Sequence, residues 1–82
     1  MSTKLYVGNL SFDTTESDLR DLFSEAGAVR ETTIINDRDS GRSRGFGFVV
    51  MADAAGAEAA INQMNSRNYQ GRNLTVNIAR ER

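Results

Sequence analysis

Arg44-Gly45-Phe46-Gly47-Phe48-Val49-Val50-Met51 is the stretch that decides how this chain folds. Side chains alternate sides along a β-strand. Phe46 and Phe48 therefore share one side, and Gly45, Gly47 and Val49 share the other. Val49 is the natural core residue, which turns the two phenylalanines toward water. The segment Lys4–Asn9 repeats the pattern, with Leu5 and Val7 alternating against Tyr6 and Gly8. With Leu5 and Val7 inward, Tyr6 joins Phe46 and Phe48 outside. A one-residue slip would bury the phenylalanines but would expose Leu5 and Val7 or break their pairing. Burying each ring would favour folding by about 1.5–3 kcal/mol, so three displayed rings call for a reason.

The flanking sequence supplies the other elements. Thr15 reads as a helix N-cap, with Glu16 and Asp18 in the first turn where the helix dipole favours anions. Leu19, Leu22, Phe23 and Ala26 follow at i, i+3, i+4 and i+7, and Gly27 stands where a C-terminal cap would fall. Val29–Asn36 is β-branched and reads as a second strand. Asp37–Ser43 is a polar loop. Asp53 caps a second helix carrying Ala57, Ala60, Ile61 and Met64 at the same spacing, weakened at Gly56 by about 1 kcal/mol. Asn65–Arg72 is turn-rich, with room for a hairpin around Tyr69 and Gly71. Asn73–Ala79 is the last strand. The order βαββαβ predicts an α+β, ferredoxin-like two-layer sandwich. Its four-stranded antiparallel sheet carries both helices on one face and leaves the other open.

Composition narrows the chemistry. The 82 residues fit one domain, 1–82 with a core of about 3–80, and 39% of them are hydrophobic. Cysteine and histidine are absent. That removes disulfides, the usual zinc ligands, the commonest general base and the strongest common nucleophile. No catalytic residue, metal site or cofactor is expected. No apolar run approaches the roughly 20 residues of a membrane span, and Met1–Lys4 has no signal-peptide character. The net charge of −1 argues against a nucleic-acid partner until its distribution is read. Residues 1–37 sum to −4 and residues 38–82 to +3, so a basic face opposite an acidic one is compatible with near-neutrality.

Stacking is a sufficient reason for displayed rings. Every nucleobase has a π-face, and an unpaired base gains about 1–3 kcal/mol on an aromatic ring. Gly45 and Gly47 add little bulk beneath the strand. Arg44, on the phenylalanine side by alternation, is placed to neutralise a phosphate, and Lys4 lies on the side of Tyr6.

At this point the sequence resembles the RNA-recognition motif family. Arg44–Met51 is similar to its eight-residue ribonucleoprotein signature, with Met51 in place of the last aromatic, at the tolerant end of the strand. Leu5-Tyr6-Val7-Gly8-Asn9-Leu10 resembles the six-residue partner motif. Asp37–Arg44 resembles single-domain members such as cyanobacterial RNA-binding proteins and plant glycine-rich RNA-binding proteins, here without the glycine-rich tail.

The resemblance implies that Tyr6 and Phe48 stack on successive bases, Phe46 packs against riboses and Arg44 pairs with a phosphate. It implies base-edge or main-chain contacts at Asn77, Ala79 and Arg80, and weaker roles for Asn9, Arg38 and Arg42. The expected partner is single-stranded RNA or, as a variant, single-stranded DNA, bound by a monomer. The alternative is a protein-interaction module of the same fold, using its acidic, alanine-rich helical face. A small ferredoxin-like phosphatase would need an anion-cradling loop after the first strand, and Ser11-Phe12-Asp13-Thr14 has no glycine and carries an aspartate. The expected location is cytoplasmic for a stand-alone domain, or intracellular or nuclear for one cut from a longer eukaryotic protein.

Overall fold

A computed structural model of the chain describes residues 3–11, 13–36 and 43–79. Its elements are β1 (Lys4–Gly8), α1 (Glu16–Phe23), β2 (Val29–Asn36), β3 (Ser43–Met51), α2 (Ala54–Met64), β4 (Asn68–Tyr69), β5 (Arg72–Asn73) and β6 (Thr75–Ile78). The expected βαββαβ order is present, with the short β4–β5 hairpin set between α2 and β6. Four strands form one antiparallel sheet in the order β2-β3-β1-β6. The fold is the expected two-layer sandwich, with two helices against a four-stranded sheet.

The core forms where the helices' apolar stripes meet the inward side of the sheet. Leu5, Val7, Val49, Met51 and Val76 from the strands pack with Leu19, Leu22, Phe23, Ala57, Ala60 and Met64 from the helices, all buried. Thr15 caps α1 in a reciprocal box: its hydroxyl accepts from the Asp18 N–H, and the Asp18 carboxylate accepts from the Thr15 N–H. Asp53 caps α2 by accepting from the Gly56 N–H at 2.7 Å.

A side chain at one end of each helix also takes up one amide on each outer sheet edge, where unpaired amides invite association with another chain. Glu16 opens α1, and its carboxylate accepts the Ile34 N–H of edge strand β2 at 3.0 Å. Asn65 follows α2, and its side-chain oxygen accepts the Val76 N–H of edge strand β6 at 3.1 Å.

Three expectations change. First, α1 ends at Phe23 with Ser24 as its cap, not at Gly27. Glu25 and Ala26 donate to the carbonyls of Leu22 and Phe23, three residues back, so the chain tightens beyond the helix. A Cβ on Gly27 would come within 3.1 Å of Gly56 Cα. The two glycines therefore let the α1–β2 turn approach α2, which accounts for a helix-weakening residue at position 56. Second, the last sheet strand begins at Thr75, because Arg72 and Asn73 pair with Tyr69 and Asn68 in the hairpin. Its turn residues Gln70 and Gly71 both have positive φ, 53° and 82°, the arrangement of a type I′ turn. Third, Met51 is fully buried and stands in the core, not at a tolerant strand end.

Candidate nucleic-acid interface

Register places the aromatic residues together. Tyr6 lies opposite Phe48, and Gly8 opposite Phe46, across β1 and β3. On the outer sides, Asn77 pairs with Tyr6 and Thr33 pairs with Phe48. One row thus crosses all four strands: Thr33, Phe48, Tyr6, Asn77. Its neighbours Leu5, Val7, Gly47 and Val49 are buried on the helix side. The row therefore occupies the helix-free face, as alternation in β1 and β3 predicted.

The three rings form one cluster. Tyr6 and Phe46 are 5.8 Å apart between centroids and tilted by 35°. Tyr6 meets Phe48 at 6.2 Å and 66°, and Phe46 meets Phe48 at 6.2 Å and 90°. The edge-on packing of the two pairs that include Phe48 satisfies the ring quadrupoles. All three remain only partly buried. Lys4 Nζ stands 4.8 Å from the Phe48 ring centroid, a cation–π distance.

Two glycines set the backbone around this cluster. A Cβ on Gly47 would strike the Thr33 carbonyl oxygen and lie 3.2 Å from Ile34 Cα, so the tight β2–β3 approach excludes a side chain there. A Cβ on Gly8 would lie 2.6 Å from Tyr6 Oη and 2.9 Å from its ring. The Tyr6 ring therefore folds along β1 over the bare backbone of Gly8. At Gly45, β3 bulges: between the pairs Ile34–Gly47 and Asn36–Ser43, β3 advances four residues while β2 advances two. Gly45 has φ 83°, a conformation that glycine adopts without strain. Plain alternation from Phe46 back to Arg44 thus crosses a bulge.

The remaining expected residues fall in different places. Asn77 is exposed on the open face. Ala79 is 7% exposed, and its N–H donates to the Lys4 carbonyl at 2.8 Å. Asn9 (φ 60°) ties the end of β1 to the hairpin, donating to the Asn73 carbonyl at 2.7 Å and accepting from Arg72 at 3.3 Å. Arg44 lies in β3. Its side chain, together with Arg38, Arg42 and Arg80, lies outside the described residues.

Sequence reasoning missed the β2 contribution. Thr33 and Glu31 share the open face, because Thr33 pairs with Phe48 and Glu31 with Val50, while Thr32 turns inward to donate to the Glu16 carbonyl. Thr-Thr-Ile-Ile has no alternation of its own, so only its register against β3 reveals which threonine faces out. Among the described residues, no cluster of His, Cys, Asp and Glu could hold a metal ion, and no helix is long and apolar enough to cross a membrane.

A second surface feature lies beside α1. Asp18, Asp21, Leu22, Glu25, Arg67 and Tyr69 line a shallow pocket of about 250 Å³. Arg67 bridges Glu25 at 3.5 Å, both largely exposed, a contact of small energetic weight. Thr14 bonds Gln70 through their side chains at 2.5 Å, which seats the hairpin against the start of α1.

An open antiparallel sheet backed by two helices and faced with a three-ring aromatic cluster defines a class of single-stranded nucleic-acid-binding module. The profile of the RNA recognition motif family matches residues 5–75. The chain belongs to that family. Glycine-rich RNA-binding protein 2, mitochondrial, of Arabidopsis thaliana is 48% identical over the whole chain, which spans 52% of that protein. The putative RNA-binding protein RbpE of Nostoc is 47% identical over 95% of the chain, which spans 79% of RbpE. The chain thus spans about half the length of the first of these relatives. Relatives carry mitochondrial and chloroplastic names as well as a cyanobacterial source, so the domain type is not confined to one compartment. Among solved structures, that of RNA binding protein PG1 superposes with a TM-score of 0.92 at 47% identity, covering 99% of this chain and 98% of that one. The Rna15 RRM with bound RNA (GU) superposes with a TM-score of 0.88 at 27% identity, covering 99% of this chain and 86% of that one.

Proposed function

We propose that the open sheet face binds single-stranded RNA, with one base stacked on Tyr6, a second on Phe48 and the connecting ribose against Phe46. The observation that carries this reading is the mutual contact of the three rings on the helix-free face, at 5.8–6.2 Å between centroids. A duplex hides its base faces, whereas an unpaired strand offers them, and stacking is indifferent to which base is offered. The Lys4 ammonium stands over the Phe48 ring that a base would occupy, so a base stacked there exchanges with this cation–π contact.

The domain acts by binding, and no bond-making step is assigned to it. Domain limits of 1–82 and a monomeric state belong to the same proposal. The salt dependence of affinity counts the phosphates that basic side chains neutralise, whatever the net charge of the chain. Titration of short single-stranded RNA into the Phe46→Ala/Phe48→Ala variant tests the reading. Loss of binding with the fold intact supports it, and unchanged affinity excludes stacking. Parallel titrations with single-stranded DNA measure the contribution of the 2′-hydroxyls.

A further inference from the structure

We infer that Glu31 selects guanine for the base stacked on Phe48, an inference that rests on the stacking function proposed above. The base on Phe48 is bounded toward β1 by the Tyr6 ring and along β3 by the Phe46 ring, each 6.2 Å from the Phe48 centroid. Its free edge faces β2. There Thr33 stands directly opposite Phe48, and Glu31 stands two residues along the same face, opposite Val50. Diagonal neighbours of this kind lie about 7–8 Å apart, within reach of a glutamate side chain and a base edge together. Glu31 is exposed, and its side chain takes part in none of the hydrogen bonds or ion pairs found among the described residues.

A carboxylate on a face that binds a polyanion repels phosphates, and it accepts hydrogen bonds without donating any. Its compatible place is beside base donors. Guanine offers two adjacent donors, N1–H and the N2 amino group, which match a carboxylate in a bidentate pair. Adenine and cytosine offer one amino group beside a ring acceptor. Uracil offers N3–H between two carbonyl oxygens that repel the carboxylate. Thr33, whose hydroxyl both donates and accepts, adds no such preference.

The test measures affinities of the full chain and its Glu31→Gln variant for four RNA hexamers: UUUUUU and the three with a single G, A or C in place of the fourth U. The wild type is expected to bind the guanine hexamer about tenfold tighter than hexauridine. Glu31→Gln removes one negative charge, which strengthens binding to the uracil, adenine and cytosine hexamers, whereas the guanine hexamer also loses its bidentate partner. The decisive readout is therefore the ratio between RNAs. The carboxamide both donates and accepts, which fits uracil and adenine, so the guanine preference is expected to disappear or reverse. Circular dichroism and an unchanged melting temperature verify that the exposed substitution leaves the fold intact. Equal wild-type affinities for the four hexamers, or an unaltered guanine ratio in Glu31→Gln, overturn the inference while leaving RNA binding in place. Absence of binding to any hexamer overturns the RNA-binding reading as well.

Discussion

Tyr6 and Phe48 stand in register across the two central strands, and their rings meet edge to face at 6.2 Å and 66°. The pair is a platform because β1 and β3 are hydrogen-bonded neighbours, although 41 residues of sequence lie between them. Tyr6→Ala and Phe48→Ala are each expected to weaken RNA binding by about 1–3 kcal/mol. Because the rings touch, the double variant should depart from additivity by about 0.5 kcal/mol or more in a titration-based cycle.

Gly47 and Gly8 separate stability from function. Gly47→Ala drives a methyl group into the Thr33 carbonyl and should cost about 1–3 kcal/mol in urea unfolding. Gly8→Ala meets only the far end of the Tyr6 side chain, which is able to swing aside. Stability should change by less than about 1 kcal/mol, while RNA affinity falls about fivefold to tenfold as the ring leaves its seat.

Met51 provides the converse case. It occupies the last position of the signature strand yet lies wholly in the core. Met51→Ala should therefore destabilise the fold by about 2–5 kcal/mol. RNA affinity of the remaining folded protein should be unchanged, measured at a temperature well below its melting point.

Tyr69 reports on the hairpin's seat against α1. Burial, and then the nearby Asp18 and Asp21 carboxylates, raise its phenol above the usual tyrosine value of 10.0. The folded protein thus holds this proton more tightly than the unfolded chain. Its contribution to stability is fully present below pH 10 and is lost as the pH rises through the folded value. Absorbance titration of the phenolate should show a high-titrating tyrosine that Asp21→Asn moves downward.

Much of this arrangement was legible in the sequence. Alternation in Leu5–Gly8 and Phe46–Val49 assigns faces, because each strand mixes residues that plainly belong inside with residues that do not. Thr15 and Asp53 announce the helix starts for the same local reason. The rest depends on partners distant in sequence. The face of Thr33 follows only from register against Phe48. The role of Gly27 follows only from the approach of Gly56. Asn9 looks like part of the signature until Asn73 and Arg72 are seen to hold its amide. The bulge at Gly45 interrupts the alternation that reasoning from Arg44 relied on.

The most direct test of the central claim is a backbone and aromatic chemical-shift titration of the whole chain with a short single-stranded RNA. Binding on the open face predicts that the largest changes fall on Lys4, Tyr6, Thr33, Phe46, Phe48 and Asn77, with α1, α2 and the hairpin little affected. Changes concentrated on Asp18, Asp21, Glu25 and Tyr69, with the aromatic row unmoved, would contradict it.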